Sequence, residues 1–277
     1  MPSSSQLLVF TDLDGSLLDH HSYDWSPAGD WLTRLRLAGV PVVIDTSKTA
    51  AEVGRLVVEL GLEGQPFVVE NGAAIHLPPE WRNEGESGVV ELGGGASMIR
   101  ATLVQLRERH GFRFEGFGDV DAAKVAQWTG LALEDAERAS RRDASEPLRW
   151  LDDEGRLDAF AAALAEHGLV LTRGGRFHHV MAAGVDKGRA LAWLVERYRQ
   201  RFGGRTASLA LGDGANDLPM LAAADRGVLI RTEGAPLKAR FDRPERVYLT
   251  HEGGPKGWRE GMDHWLGEDW LGQDWTV

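Results

Sequence analysis

Short apolar runs alternate with amphipathic stretches over the first 75 residues of the chain. Apolar runs of strand length lie at residues 7–11, 40–45 and 67–69. Between them, residues 27–38 and 50–60 carry apolar side chains at helical spacing, and a glycine follows each stretch. Strands that are separated by helices in this way predict a parallel sheet with right-handed crossovers, covered by helices on both faces.

The pattern changes between about residues 85 and 184, where short strand-like pieces, including one at residues 89–92, interleave with helical stretches. Gly174 and Gly175 separate two runs of strand length, as the two central residues of a hairpin turn do. From residue 187 the alternation of helix and strand resumes. The sequence therefore predicts an α/β fold: a doubly wound, Rossmann-like parallel-sheet core at residues 1–84 and 185–277, with an inserted α+β cap domain at residues 85–184.

The net charge and the absence of cysteine restrict the kinds of site and partner that the protein can have. The 277 residues carry a formal net charge of -11 and include no cysteine, which excludes disulfides, thiolate zinc sites and a cysteine nucleophile. The acidic balance argues against nucleic acid and membrane surfaces as partners. A small phosphate ester remains compatible, because a metal ion and a few cations can reverse the field inside one cleft. The sequence shows no signal peptide and no long apolar segment, so we expect a cytoplasmic protein without an obligate protein partner.

Two aspartates, Asp12 and Asp14, directly follow the first predicted strand in a loop that turns at Gly15. Ligands of a doubly wound sheet lie just outside the carboxyl ends of its strands. A carboxylate at this place can bind magnesium and attack phosphorus, and a second carboxyl group can protonate the leaving oxygen. Aspartates that only cap a turn are the alternative, but the strand placement favours the catalytic interpretation.

A second polar cluster, Thr46, Ser47 and Lys48, follows the second predicted strand. The Thr46 hydroxyl is placed to hold a phosphate oxygen. Ser47, Lys48 and the first amides of the next helix can assist, because the N-terminus of a helix attracts anions. The alternative is ordinary helix capping by Ser47 or Thr49 with a solvated lysine.

Two further clusters follow the predicted cap. Lys187 opens a helix, where its charge opposes the helix dipole unless a bound phosphate and the Asp12 carboxylate compensate; a surface lysine in a turn is the alternative. Asp213 follows another strand and is placed to complete the kind of oxygen site that magnesium prefers. Asn216 and Asp217 can orient water, Lys187 or a substrate oxygen, although Asp217 can also simply cap the next helix.

In their order and spacing, the four clusters resemble those of the haloacid dehalogenase-like phosphatases, in the branch whose α+β cap follows the third core strand. The resemblance extends to about residue 257. It implies that Asp12 is the nucleophile and Asp14 the general acid/base, that Thr46 and Lys187 hold the phosphate, and that Mg²⁺ is the cofactor. The implied metal ligands are the Asp12 carboxylate, the Asp14 backbone carbonyl and Asp213, with Asp217 as a further candidate.

More specific segments at residues 21–25, 46–49, 70–75, 78–81 and 174–178 resemble the mannosyl-3-phosphoglycerate phosphatase family. This resemblance implies hydrolysis of mannosyl-3-phosphoglycerate to mannosylglycerate, a compatible solute, and phosphate. Arg173, Gly175 and Arg176 lie on the predicted cap hairpin, where the arginines can pair with the substrate carboxylate; a solvated hairpin is the alternative. Glu70 and Asn71 are expected to bind sugar hydroxyls or position the cap, unless they only form a turn after a strand.

Other functions remain open on the sequence alone. The same core motifs fit a phosphatase of a related sugar phosphate or of the glucosyl analogue, because these motifs contact only the phosphate. A phosphomannomutase-like enzyme also begins from an aspartyl phosphate, and a catalytically idle binding protein could share the fold. Residues 253–257, rich in glycine, predict a loop near the mouth of the active site.

Overall fold

The computed structural model of the protein describes residues 6–173, 177–232 and 241–267. The strands within these residues are β1 (Gln6–Thr11), β2 (Val42–Asp45), β3 (Phe67–Val69), β4 (Ala74–His76), β5 (Val89–Glu91), β6 (Phe114–Gly116), β7 (Ser145–Trp150), β8 (Leu169–Arg173), β9 (His178–Ala182), β10 (Thr206–Gly212), β11 (Arg226–Arg231) and β12 (Val247–Gly253). The α-helices are α1 (Gly29–Leu37), α2 (Ala50–Glu59), α3 (Ala96–His110), α4 (Ala122–Thr129), α5 (Leu133–Ser140), α6 (Leu157–Ala165), α7 (Lys187–Phe202), α8 (Leu218–Ala223) and α9 (Gly254–Leu266).

The larger sheet has eight strands in the order β12-β11-β10-β1-β2-β3-β4-β5. The strands from β12 to β3 are parallel, whereas β4 and β5 are antiparallel additions at one edge. Helices cover both faces. Val9 packs on one face with residues of α1, α2 and α9 such as Trp258, and Phe10 packs on the other with residues of α7 and α8 such as Leu191 and Met220. The predicted doubly wound core is confirmed.

The cap is a separate antiparallel sheet in the order β6-β7-β9-β8. Leu148 of this sheet packs with residues of α3 and α6, including Phe160. Helices α4 and α5 contribute Val125 and Ala136 to a smaller cluster around Phe117. Strands β8 and β9 pair antiparallel, as the hairpin prediction requires. The predicted combination of an α/β core with an α+β cap is therefore confirmed.

Two local predictions differ from the structure. The apolar run at residues 89–92 was expected in the cap, but β5 pairs with β4, so the larger sheet continues beyond the predicted border at residue 84. Residues 253–257 do not form a loop, because β12 ends at Gly253 and α9 begins at Gly254. Gly257 permits this tight junction, since a Cβ atom there would lie 2.3 Å from the Glu252 carbonyl oxygen. None of the helices in the described part of the chain combines the length and the apolar character that a membrane span requires.

Candidate active site

The polar clusters meet at one edge of the larger sheet. Strand β1 lies between β2 and β10, and Thr11 is in register with Ile44 of β2 and Leu211 of β10. The residues that follow these strands, including Asp12, Thr46 and Asp213, therefore leave the sheet at the same level. The register of three parallel strands thus brings together side chains that are far apart in the sequence.

A buried ion-pair cluster lies at the centre of this edge. The Lys187 ammonium is fully buried and lies 2.6 Å from Asp12 Oδ1 and 2.6 Å from Asp217 Oδ1. Burial alone would lower the pKa of Lys187, but the Asp12 and Asp217 carboxylates raise it above its ordinary value. Asp186 caps α7 by accepting a 2.8 Å hydrogen bond from the Arg189 amide. Lys187 is therefore a fixed cation inside the site.

The loop that carries Asp12 is locked against the loop that carries Asp213. Ser16 Oγ donates a 3.0 Å hydrogen bond to Asp213 Oδ1. Gly15 has a φ of 83°, and a Cβ atom there would lie 2.6 Å from Asp213 Oδ2, so only glycine fits without displacement. Burial raises the pKa of Asp12, although Lys187 opposes this rise. Burial, assisted by Asp217, also raises the pKa of Asp213 to about 6.

An acidic triad of Asp12, Asp213 and Asp217 offers ligand atoms that all lie within 4.8 Å of one another. Both carboxylate oxygens of Asp217 are already engaged. Oδ1 accepts from Lys187, and Oδ2 accepts from the amides of Asp213 at 3.0 Å and Gly214 at 2.8 Å. Asp217 Oδ1 accepts only one hydrogen bond and keeps a second lone pair, so Asp217 could contact a metal ion there beside Lys187. In the described contacts, each carboxylate oxygen of Asp12 and Asp213 accepts at most one side-chain hydrogen bond, so both residues keep lone pairs for a hard cation such as Mg²⁺.

The second polar cluster of the sequence, Thr46 to Lys48, lies next to the loop that carries Asp14. Lys48 Nζ is 2.7 Å from Asp14 Oδ2. Burial lowers the pKa of Lys48, but the Asp14 carboxylate outweighs this effect and raises it overall. The Thr46 side chain is buried, and its hydroxyl accepts a 3.3 Å hydrogen bond from the Lys48 amide. Thr49, rather than Ser47, caps α2 through a capping box, which leaves the Ser47 hydroxyl outside the capping contacts.

Glu70 joins the core to the cap. Its carboxylate accepts hydrogen bonds from the Asp143 amide at 2.6 Å, the Ala144 amide at 3.2 Å and Ser145 Oγ at 2.5 Å. Both of its oxygens are thus engaged and the side chain is 1% exposed, so of the two expected roles the structure favours positioning of the cap. Contact of Glu70 with sugar hydroxyls was the other expected role, and the geometry does not support it.

The backbone around Glu70 is held in an uncommon conformation. Glu70 and Asn71 have φ values of 54° and 58°, in the left-handed region that non-glycine residues rarely adopt. The Asn71 amide donates to the Thr46 carbonyl at 2.9 Å. The Asn71 side chain accepts a 3.1 Å hydrogen bond from Asn216 Nδ2, so these two expected substrate contacts lie next to each other. A Cβ atom on Gly72 would lie 2.2 Å from the Asp186 carbonyl, which ties this turn to the start of α7.

The cap hairpin is described only in part. Arg173 lies at the end of β8, and its backbone is in register with His178. Gly175 and Arg176 lie outside the described residues, so their expected role as substrate contacts stays a prediction. Sequence reasoning missed a different cap residue, Arg142, whose guanidinium donates a 3.1 Å hydrogen bond to the Ser47 carbonyl. An arginine between two polar residues gave no signal for this contact.

Asp45, also missed, is the last residue of β2 and is fully buried. Neither of its carboxyl oxygens has a hydrogen-bond partner among the described residues. Burial raises the pKa of Asp45 well above its ordinary value, although Lys187 opposes this rise. In the sequence, the signal for a buried carboxyl group was an acidic residue at the end of an otherwise apolar run.

The stability of Asp45→Asn relative to the parent should be higher at pH 8 than at pH 5. The folded state keeps a proton on Asp45 that the unfolded chain has already lost, so the parent loses stability as the pH rises above the unfolded pKa of about 4. Between the unfolded and the folded pKa, the parent loses up to about 1.4 kcal/mol of stability for each pH unit. The variant does not show this loss, because asparagine does not titrate. Urea unfolding of both proteins at the two pH values measures the difference, with the exposed Asp158→Asn as control. An equal change at both pH values would show that Asp45 carries no proton.

Comparison with known proteins places the chain in a family. The chain matches the haloacid dehalogenase-like hydrolases over residues 9–84 and 132–243, more than half of its length. A phosphatase of the haloalkanoate (HAD) enzyme superfamily from Bacteroides thetaiotaomicron has a similar structure, with 19% identity, a TM-score of 0.67 and coverage of 95% of this chain and 96% of that one.

Two further solved structures share the fold. The HAD subclass IIB sugar phosphatase BT4131 is 18% identical, with a TM-score of 0.62 over 94% of this chain and 98% of that one. A Thermoplasma acidophilum protein is 19% identical, with a TM-score of 0.64 over 94% and 98% of the two chains. At these identities the structures show a shared fold, while the match along the sequence shows the family. The chain belongs to the haloacid dehalogenase-like hydrolases.

Proposed function

We propose that this protein is a magnesium-dependent phosphomonoester phosphatase that forms an aspartyl phosphate on Asp12, with mannosyl-3-phosphoglycerate as its substrate. The observation that carries the proposal is the buried Lys187 ammonium, which lies 2.6 Å from the Asp12 carboxylate, while oxygens of Asp12, Asp213 and Asp217 lie within 4.8 Å of one another. Burying a lysine with two carboxylates costs desolvation free energy, which suggests that the arrangement is kept for its function. A carboxylate nucleophile held in place by a cation is suited to phosphoryl transfer.

The two oxygens of the Asp12 carboxylate would serve different tasks: Oδ1 accepts one hydrogen bond from Lys187 and keeps a lone pair that would bind Mg²⁺, and Oδ2 would attack phosphorus. Lys187 holds Oδ1, and Oδ2 has no hydrogen bond among the described contacts, so Oδ2 is the atom available to attack phosphorus. The new Asp12 oxygen–phosphorus bond replaces the bond to the leaving alkoxide, which takes a proton from Asp14. Asp14 then removes a proton from water, and the water oxygen displaces the Asp12 carboxylate and releases phosphate.

Cations and a hydroxyl group surround the place of the phosphate. Lys187 contacts Asp12, Lys48 contacts Asp14, and Thr46 follows β2, the strand next to the one that carries Asp12. Mg²⁺ would be held by Asp12, Asp213 and the Asp14 carbonyl, and when bound it would neutralise charge on the phosphate oxygens. Asp217 would keep Lys187 and the Asp213 loop in place through its three hydrogen bonds.

The sugar is supported by less evidence than the phosphate. Solved relatives described as phosphatases, one of them a sugar phosphatase, support a phosphate ester as the substrate. The mannosyl-3-phosphoglycerate assignment depends on the five sequence segments named above, and the glucosyl analogue is the alternative. Phosphate release from both glycosyl phosphoglycerates and from a panel of sugar phosphates, with Mg²⁺ and with EDTA, tests the proposal. An isomerised sugar phosphate without free phosphate would indicate a mutase, and no turnover of any ester would contradict the proposal.

Asp14→Asn should impair hydrolysis of esters with poor leaving groups far more than hydrolysis of an activated aryl phosphate. A glycerate alkoxide needs a proton as it leaves, whereas a nitrophenolate does not. General acid catalysis contributes about 10²- to 10⁴-fold, and we expect a loss of this size only for the natural ester. The measurement is kcat/KM for both substrates in parent and variant. Equal losses on the two substrates would indicate that Asp14 acts only through its ion pair with Lys48.

A further inference from the structure

One face of the cap sheet packs on helices, and the other face is turned toward the core. On β9, Val180 packs with residues of α3 and α6 such as Phe160. Because the side chains of a strand alternate between the two faces of its sheet, His179 and Met181 lie on the other face, which we call the open face. Met181 belongs to an apolar cluster of the core, together with residues such as Val69. His179, two positions before Met181, therefore lies where the open face continues beyond this contact with the core.

Arg142 places a cation where the cap meets the active-site loops. Its guanidinium is partly buried and donates 3.1 Å hydrogen bonds from Nη1 to the Ser47 carbonyl and from Nε to the Ala139 carbonyl. Ser47 lies between Thr46 and Lys48, the two residues of this loop that would hold the phosphate. Within the described residues, Nη2 of Arg142 makes no hydrogen bond and the guanidinium forms no ion pair. Arg142 therefore keeps donors for a further acceptor next to the phosphate position.

The His179 imidazole lies near this cation and has no partner of its own. Burial, the Arg142 guanidinium and His178 together lower the pKa of His179 to about 3, and no described carboxylate opposes this effect. The ring makes no ion pair and no hydrogen bond to the described residues. His179 is therefore neutral near pH 7, and one of its ring nitrogens can donate a hydrogen bond. An acceptor between His179 and Arg142 would meet donors from both residues.

The carboxylates of the adjoining segments do not occupy these donors. Farther along the open face, Glu115 is in register with Arg149, so a cation lies opposite that carboxylate. None of the described carboxylates forms an ion pair with Arg142. Four of them belong to the loops and helices around Arg142, and each lies against another group: Asp14 against Lys48, Glu52 against Thr49, Glu70 against residues 143–145, and Asp143 against His76.

We propose that Arg142 and His179 form a subsite on the cap for an acidic group of the leaving group. The guanidinium pairs with the oxygens of this group, and the imidazole donates a hydrogen bond to it. The substrates selected are phosphomonoesters whose alcohol part carries a carboxylate close to the phosphate. The inference rests on the proposed phosphatase function and deepens it. It assigns the carboxylate contact to two residues that the sequence did not indicate, whereas the sequence predicted Arg173 and Arg176 for this role.

The test uses two matched esters, mannosyl-3-phosphoglycerate and the corresponding mannosyl glycerol phosphate, in which a hydroxymethyl group replaces the carboxylate. The measured quantity is the ratio of kcat/KM for the acid ester to kcat/KM for the neutral one. In the parent this ratio should be well above one. Arg142→Gln and His179→Ala should each lower it by about tenfold or more, because each removes a hydrogen bond to a charged group. His179→Glu should lower it further, because the new carboxylate would pair with Arg142 and repel that of the substrate.

The choice of variants separates recognition from structure. Glutamine at position 142 keeps a donor for the Ser47 carbonyl while it removes the charge. His179→Ala tests the same subsite without touching any described hydrogen bond of a side chain between cap and core. Arg141→Gln is the matched control, because Arg141 is the preceding residue, is exposed and has no ion pair among the described residues. The neutral ester reports on folding and on closure of the cap, since it needs both but lacks the carboxylate.

The outcomes also separate this inference from the proposed function. A parent that hydrolyses neither ester would contradict both. A parent that hydrolyses the two esters equally well, or whose preference for the acid survives in Arg142→Gln or in His179→Ala, would overturn the subsite and leave the phosphatase function intact. Equal losses on both esters in Arg142→Gln would show that Arg142 only ties the cap to the core. A ratio that falls as far in Arg141→Gln would show a general effect of surface charge, and either result would overturn the subsite.

Discussion

Asp12→Asn should lower kcat/KM for phosphate release by at least about 10⁴-fold and leave the protein folded and no less stable. An amide oxygen is a poor nucleophile and a weak metal ligand, so the variant loses the attacking atom and weakens the Mg²⁺ site. The fold should tolerate the change, because two buried carboxylates share one ammonium in the parent. When Asp12 is neutral, Lys187 and Asp217 remain as a balanced pair.

Activity and stability are measured on the same preparations. Phosphate release gives kcat/KM, and thermal and urea unfolding without Mg²⁺ give the stability. Asp30→Asn is the matched control, since Asp30 is exposed in the first turn of α1 and the substitution is the same. Activity of Asp12→Asn within tenfold of the parent would contradict the assignment of Asp12 as nucleophile. A clear loss of stability would contradict the charge balance described for Lys187.

The sequence predicted the core of the fold because its signals are local. Buried parallel strands are continuous apolar runs, and helices that cover them are amphipathic, so both can be read over short windows. Strand β5 was placed in the wrong sheet because an apolar run at residues 89–92 does not specify its pairing partner. Helix α9 was missed because Gly253, Gly254 and Pro255 suggested a loop, although Trp258, Met262 and Leu266 recur at helical spacing.

The composition of the site was easier to predict than its contacts. Residues that follow neighbouring parallel strands must meet at one edge, which is why Asp12, Thr46 and Asp213 could be grouped in advance. The contacts between these residues depend on side-chain geometry, which the spacing of residues in the sequence does not determine. The Asp14–Lys48 pair and the attachment of Glu70 to the cap are of this kind. Sequence spacing gave no distance between the loops that these residues join.

Lys187→Met should destabilise the protein by about 3–5 kcal/mol and remove phosphatase activity. Methionine keeps the length of the side chain but leaves Asp12 and Asp217 as neighbouring buried carboxylates without a cation. Relief of the unfavourable helix-dipole contact would return only about 0.3–1 kcal/mol. Urea unfolding without Mg²⁺ measures the loss. Lys124→Met is the control, because Lys124 also lies in the first turn of a helix, α4, but is exposed.

A double-mutant cycle shows whether this loss comes from the charge of Asp12. If Lys187 mainly compensates that carboxylate, Lys187→Met should cost less in the Asp12→Asn background than in the parent, because only Asp217 is then left unpaired. We expect a coupling energy of about 1–3 kcal/mol, the upper part of the range for residues in direct contact. Additive losses would mean that Lys187 stabilises the fold through Asp217 or through packing, and its 2.6 Å contact with Asp12 would then serve the reaction without contributing to the stability of the folded chain.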